Sequence, residues 1–147
     1  MFSLEPHVSD ITHVIQLAVA PVFLLTAVGT LLAVLTNRLT RVVDRSRVVE
    51  EQLAALDGES LLLARQELQV LARRIRLIYA AIALAVVCAI FICLLIAAAF
   101  LGAFVASDLS RLLGALFVLA MLGLVGALTI FLREIFLAVS SASRAIR

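Results

Sequence analysis

The chain has 147 residues, of which 65% are hydrophobic and 15% charged, and its mean hydropathy is +1.21. A soluble domain of this length is far less apolar, so the composition indicates a membrane protein. The net charge at pH 7 is only +2, and the arginines cluster beside apolar runs, which argues against a nucleic-acid-binding module.

The first apolar run covers residues 14–36 and contains no charge over 23 residues. That length crosses a hydrocarbon core of about 30 Å. Asp10 can cap a helix that begins near Ile11. We therefore predict an outer N-terminal segment over residues 1–10 and a first transmembrane helix over residues 11–36.

A charged segment with helical periodicity follows over residues 37–76. Apolar or small residues recur there at alternating spacings of three and four, and Asp57-Gly58 interrupts them as a turn signal. They are Leu39, Val42, Ser46, Val49, Leu53 and Leu56 before the turn, and Leu61, Ala64, Leu68, Leu71, Ile75 and Ile78 after it. The pattern predicts an antiparallel helical hairpin that packs along this seam and continues the first helix without a break. Charged residues off the seam, Arg38 and Arg74 among them, are predicted to face solvent.

Two further apolar runs follow the predicted hairpin, over residues 78–104 and 112–132. They predict a second transmembrane helix over residues 77–104, an outer loop over 105–111 and a third transmembrane helix over 112–132. An amphipathic tail covers residues 133–147. The predicted fold class is therefore all-α, with three transmembrane helices and a cytoplasmic hairpin between the first and second.

The distribution of arginine predicts the orientation. Residues 37–76 contain eight Arg and the tail three more, whereas the opposite side has only Arg111. By the positive-inside rule the hairpin and C-terminus are cytoplasmic and the N-terminus is outside, as in a protein of the bacterial inner membrane.

The first transmembrane helix carries a polar stripe, defined by Thr26, Thr30, Ala33, Asn37, Thr40 and Asp44, with Gln16 nearer the N-terminus. Polar side chains on one face of a membrane helix need a partner. One interpretation is hydrogen bonding to another helix or back to the helix's own backbone. The other is that the stripe, through Gln16, Thr26, Thr30 and Asn37, lines an aqueous path in a ring of subunits.

Pairs of small residues one turn apart predict close helix packing, either within one subunit or between subunits. The pairs are Gly29 with Ala33, Ala98 with Gly102, and Gly123 with Ala127.

Charged residues at the membrane boundary are predicted to fix helix depth and register. They are Arg38, Asp44, Arg45, Arg133 and Glu134, of which Asp44 and Glu134 can neutralise basic neighbours.

Catalytic and metal-binding patterns are weak in this sequence. His7, Asp10 and His13 near the outer surface are too few for a strong zinc signal, so we predict no metal and no cofactor. No nucleophile with a base and no phosphate-binding loop is visible, and we predict no enzymatic activity.

Several stretches carry a family resemblance: residues 13–45 with the series from Ile15 to Phe23, residues 73–84, and residues 116–139 with Leu132-Arg133-Glu134. They resemble the mainly bacterial membrane family catalogued as domain of unknown function 2721. The resemblance implies a small multi-pass membrane protein and transfers no catalytic or binding residue.

Two functional hypotheses follow. In the first, the protein is a homo-oligomer whose first helices line a narrow channel or pore. In the second, it is a non-conducting scaffold or accessory subunit whose cytoplasmic hairpin docks another protein. The predicted partners are thus the lipid bilayer, further copies of the chain, and an unknown cytoplasmic protein, with nucleic acid excluded.

Overall fold

The computed structural model describes the backbone of residues 5–105 and 109–145, and side chains within residues 15–102 and 109–139 apart from that of Leu17. All regular structure in these ranges is helical. The helices are α1 (Glu5–Leu53), α2 (Glu59–Val105) and α3 (Ser110–Ala145).

Each of the three helices is long and apolar enough to cross a membrane, over Ala18–Leu53, Glu59–Gly102 and Ser110–Val139. The prediction of an all-α protein with three such helices is confirmed for the described residues, and the chain is that of a membrane protein.

α1 begins earlier and α3 ends later than the sequence indicated. α1 begins at Glu5 rather than near Ile11. Pro6 does not prevent this, because the first helical turn needs no N–H from a proline and favours its fixed φ. α1 also continues through Pro21 without a break, and α3 runs past Arg133 to Ala145 as one helix.

Residues 54–58 connect α1 to α2. Backbone N–H groups of Ala55 and Leu56 donate to the carbonyls of Gln52 and Leu53, which closes the C-terminus of α1. Gly58 has a φ of 62°, the left-handed conformation that glycine adopts without steric cost. The Ser60 hydroxyl donates to the Asp57 carbonyl at 2.6 Å at the start of α2.

The chain forms two compact units, and each contains segments of all three helices. The first unit comprises residues 1–31 and 85–125, and the second comprises residues 32–84 and 126–147. In the first unit Val28, Cys88 and Ala120 are fully buried. In the second unit the fully buried residues include Leu35, Ala81, Ala127 and Glu134.

Buried residues recur every seven positions along each helix. They are Val28, Leu35, Val42 and Val49 in α1, Ala64, Leu71, Ile78, Ala85 and Ile92 in α2, and Ala120, Ala127 and Glu134 in α3. A seven-residue repeat is typical of helices that pack by the knobs-into-holes geometry of coiled coils. All twelve seam residues predicted between Leu39 and Ile78 are buried or partly buried, as the spacing indicated.

Candidate functional site

Glu134 occupies one of the seven-residue core positions of α3. Ala120 and Ala127, which precede it at this spacing, are small and apolar, whereas Glu134 is a carboxylate with an exposed fraction of 0%. A buried carboxylate needs compensation by opposite charge or by hydrogen bonds. The surroundings of Glu134 therefore define the strongest candidate site in the described part of the chain.

Two arginines from different helices compensate Glu134. Arg38 of α1 donates from Nη1 to Oε2 at 2.8 Å, and Arg74 of α2 donates from Nη2 and Nε to Oε1 at 2.8 and 3.0 Å. These three residues, which we call the charge cluster, connect all three helices within the second unit. Both carboxylate oxygens are satisfied, so the cluster fixes the register of α1, α2 and α3 at this level.

The charge cluster carries more positive than negative charge. One carboxylate faces two guanidinium groups, which leaves a formal charge of +1. The Arg74 side chain is 19% exposed and that of Arg38 is 33% exposed. The guanidinium of Arg38 also lies 5.4 Å from the centroid of the Phe131 ring, a distance at which the ring face attracts a cation. Arg38 is thus held in place with part of its surface open.

The charged residues at the boundary follow the prediction only in part. Glu134 does neutralise basic residues, but its partners lie 96 and 60 positions away in sequence rather than beside it. Arg74 does not face solvent as expected, because Glu134 binds it and only 19% of its side chain is exposed. Arg38 also binds Glu134 but keeps one third of its side chain exposed. Arg133 and Asp44 are exposed.

Arg45 forms a second interhelical ion pair. Its Nη2 lies 2.7 Å from Oε1 of Glu67, and Nε donates to the same oxygen at 2.8 Å. Both side chains are substantially exposed, so the pair adds less than about 1 kcal/mol to stability. Arg45 and Glu67 lie 11 positions before and after Leu56, as Arg38 and Arg74 lie 18 positions before and after it. Arg45 and its partner Glu67 are therefore placed symmetrically about the connection, and so are the two arginines that share Glu134.

The polar stripe of α1 faces away from the buried side of the same helix. Each stripe residue lies two positions before or after one of the buried residues Val28, Leu35 and Val42. Two positions correspond to a rotation of about 200° around a helix, so the stripe lies on the side opposite to these buried residues. All six residues of the stripe and Gln16 are exposed. The hydroxyl of Thr26 donates to the Val22 carbonyl at 3.2 Å, and that of Thr30 to the Thr26 carbonyl at 3.1 Å.

The pairs of small residues occupy different environments. Gly29 and Ala33 are exposed, and a Cβ added at Gly29 would meet no atom within 4 Å. Ala127 is fully buried and Gly123 partly buried, so this pair belongs to the packing within the chain. Ala98 and Gly102 are partly buried.

An apolar groove of about 280 Å³ lies between α1 and α2 in the first unit. Its lining includes Val19, Val22, Phe23, Ile96 and Phe100, and almost none of its surface is polar. Such a lining supplies no acid, base or nucleophile. No group of three His, Cys, Asp or Glu residues in the described ranges could hold a metal ion, and the side chains of His7, Asp10 and His13 lie outside those ranges.

Comparison with known proteins identifies the family. The sequence profile described as "Protein of unknown function (DUF2721)" matches residues 18–144, which is most of the chain. The chain belongs to the DUF2721 family. The resemblance found in the sequence is thereby confirmed. No curated protein and no solved structure matches the chain.

The part that matches the DUF2721 profile contains the whole charge cluster and the polar stripe from Thr26 to Asp44, whereas Gln16 precedes it. Of the cluster, the sequence indicated Arg38 and Glu134 as boundary charges but not Arg74 as their partner. The sequence signal that points to a buried charge is the position of Glu134, which follows Ala127 by seven residues in a series of core positions.

Proposed function

We propose that this DUF2721 protein is a homo-oligomeric membrane protein in which the polar stripe of α1 faces a shared axis and lines a narrow channel. The observation that carries the proposal is that every residue of the stripe is exposed, on the side of α1 opposite to its buried residues. Within the described part of one chain, no other helix covers these polar and small residues.

The exposed surfaces of the helices differ in a way that supports this proposal. α2 and α3 present large apolar side chains such as Ile90, Leu101, Phe117 and Leu122, as expected of surfaces in contact with lipid tails. α1 also exposes large apolar residues, of which Phe23 is 72% exposed. From residue 26 to residue 37, however, its outward face carries the small and polar residues Thr26, Gly29, Thr30, Ala33 and Asn37. Small residues permit close approach of neighbouring helices, and polar residues prefer a protein or water environment to lipid.

The chemistry of the stripe favours cations. Thr26 and Thr30 donate their hydroxyl protons to carbonyls of their own helix, so the hydroxyl oxygens retain lone pairs as acceptors. Between residues 14 and 37 α1 has no charged residue, and Asp44 continues the stripe towards the connection with α2. A path lined by oxygen acceptors stabilises a partly dehydrated cation better than an anion.

In this proposal residues 37–76 form an antiparallel hairpin on the cytoplasmic side of a bacterial inner membrane. The Arg45–Glu67 ion pair across the connection, the binding of both Arg38 and Arg74 to Glu134, and the burial of the seam support the hairpin. The excess of arginine over residues 37–76 and 133–147 supports the cytoplasmic location. Neighbouring hairpins then lie close enough to assemble around the axis. The protein has no enzymatic role and requires no metal or cofactor.

Measurement of cation flux in liposomes tests the channel. Thr26→Leu combined with Thr30→Leu removes the hydroxyl oxygens and should reduce flux at least about tenfold without disrupting assembly. Thr36→Leu is the matched control, because Thr36 is also exposed and bonded to its own backbone. It lies about 80° around the helix from the midline of the stripe and should reduce flux less than the double variant does. Equal flux in the double variant and wild type would remove the stripe from the path.

The alternative function is a non-conducting scaffold, and exposed apolar residues near the turn favour it. Leu62 and Leu63 at the start of α2 are 59% and 60% exposed, and Val48 on α1 is 43% exposed. On a water-facing segment such residues mark a surface for protein contact.

Photo-crosslinking in cells distinguishes the two functions. A photoreactive residue at position 62 should give discrete adducts with a different protein if the chain is a scaffold. If only adducts between copies of the chain form, the exposed leucines serve the homo-oligomer. Leu62→Gln combined with Leu63→Gln should then weaken the homo-oligomer and lower flux.

A further inference from the structure

We propose that the charge cluster of Arg38, Arg74 and Glu134 is a binding site for the phosphate group of an anionic phospholipid. The open part of Arg38 forms the contact surface for the headgroup.

The first support for this site is its charge. Two guanidinium groups share one carboxylate, and the excess charge of +1 lies on two partly buried side chains. Leaving a partly buried charge unpaired is costly, and an external anion would compensate it. No second carboxylate contacts either arginine among the described residues, since Glu67 pairs with Arg45 and Asp44 is exposed.

The second support is the unequal use of donors by the two arginines. Arg74 directs Nε and Nη2 at one carboxylate oxygen, whereas Arg38 uses Nη1 alone. Nε and Nη2 of Arg38 donate to no side chain in the described part of the molecule. With one third of the side chain exposed and the guanidinium held over Phe131, these donors are preorganised for an oxyanion.

The third support is the position of the cluster along the helices. Arg38 follows the end of the first apolar run, Arg74 precedes the second, and Glu134 follows the third. The cluster therefore lies where the three apolar segments end, which is the level of lipid phosphates in a bilayer. Exposed arginines occur beside it in sequence, namely Arg41, Arg73, Arg76 and Arg133. A lipid is favoured over a soluble phosphate compound because exposed apolar side chains also lie close to the cluster in sequence, namely Tyr79 on α2 and Leu132 and Phe136 on α3.

Thermal unfolding of the full-length protein in detergent micelles tests the proposal. Phosphatidylglycerol and phosphatidylcholine with the same acyl chains are titrated separately, and inorganic phosphate is titrated in a third series. Wild type should bind phosphatidylglycerol at least roughly fivefold more tightly than phosphatidylcholine, and inorganic phosphate alone should not reproduce the stabilisation.

Arg38→Gln should abolish the preference for the anionic lipid, whereas Arg65→Gln, which removes an exposed arginine of α2 far from the cluster, should preserve it. Arg38→Lys retains the charge if Arg38→Gln does not fold, and it should weaken the preference because lysine lacks the planar fork. Equal binding of the two lipids to wild type would overturn the proposal. Equal effects of Arg38→Lys and Arg65→Gln would also overturn it, as would full stabilisation by inorganic phosphate.

Discussion

At the scale of single residues, the contrast between Glu134 and Glu67 explains which charges matter for stability. Both carboxylates pair with arginines from another helix. Glu134 is fully buried and satisfies two arginines, whereas the side chain of Glu67 is 41% exposed. Because Glu134 is buried, water cannot readily replace it as the partner of the two arginines. Loss of Glu134 therefore leaves two partly buried guanidinium groups without a counter-charge, whereas loss of Glu67 leaves an arginine that water can reach.

Glu134→Gln should therefore lower the free energy of unfolding by about 3 kcal/mol, because the amide cannot compensate two partly buried guanidinium groups. Glu67→Gln is the matched control and should cost less than about 1 kcal/mol. Reversible chemical unfolding in micelles, followed by circular dichroism, measures both values. Similar losses for the two variants would show that burial of the carboxylate is not the deciding factor.

The connection between α1 and α2 gives a prediction about a single backbone conformation. Gly58 has a φ of 62°, and an L-residue with a Cβ is strained there by about 1 kcal/mol. Gly58→Ala should thus be destabilising, although a Cβ at this position would meet no atom within 4 Å. Gly58→Asn should cost less, because asparagine tolerates the left-handed region. The same unfolding assay compares them, and a neutral Gly58→Ala would contradict this account of the turn.

At the scale of helices, the seven-residue series of buried positions determines how the elements pack. The seam between Leu39 and Ile78 could be predicted because its spacing is local and repeats over many turns. The inward position of Arg74 could not be predicted in the same way. Its partner lies 60 residues away, and local spacing does not distinguish an arginine that meets a buried carboxylate from one that meets water.

The end of α3 also could not be predicted from local sequence, because it depends on distant partners of a charged residue. Arg133 and Glu134 end the third apolar run in sequence, yet α3 continues to Ala145. Two arginines neutralise Glu134, so it remains inside the packed helices and the helix has no reason to stop. A change from apolar to charged residues marks the end of the apolar run but not the end of the helix.

Leu71 tests the packing role of the seven-residue positions. It is 5% exposed and lies midway between the buried residues Ala64 and Ile78. Leu71→Ala should lower the free energy of unfolding by about 2–4 kcal/mol, because it removes buried methyl groups and leaves a cavity. Leu62→Ala on the same helix is the control, and its exposed side chain should contribute less than about 0.5 kcal/mol. Comparable effects would contradict the assignment of the packed face.

At the scale of the whole molecule, the proposed channel depends on contacts between copies of the chain. The exposed face of α1 combines a polar stripe with Gly29 and Ala33, two residues that permit close helix approach. The sequence identified this stripe, and the structure adds that its residues are exposed and opposite to the core. The number of copies is a property of intermolecular surfaces and does not follow from the periodicity of one chain.

Gly29→Leu should weaken self-association without loss of the helical fold. A Cβ at Gly29 meets nothing within 4 Å in the single chain, so a larger side chain disturbs only a surface between copies. We expect a loss of about 2 kcal/mol in association, or roughly thirtyfold in affinity. Gly114→Leu is the control, because Gly114 is also helical with no atom within 4 Å of an added Cβ. Analytical ultracentrifugation in micelles detects the change, and an unaltered assembly would exclude this face from the interface.

The number of subunits in the membrane decides whether α1 can line a channel. Single-particle imaging or native mass measurement of the protein in lipid nanodiscs gives this number. Enclosing an axis with one helix from each copy requires roughly four subunits or more, and a closed ring of that size with α1 innermost is the predicted result. A monomer or dimer would contradict the channel, since it cannot surround a path with α1 alone.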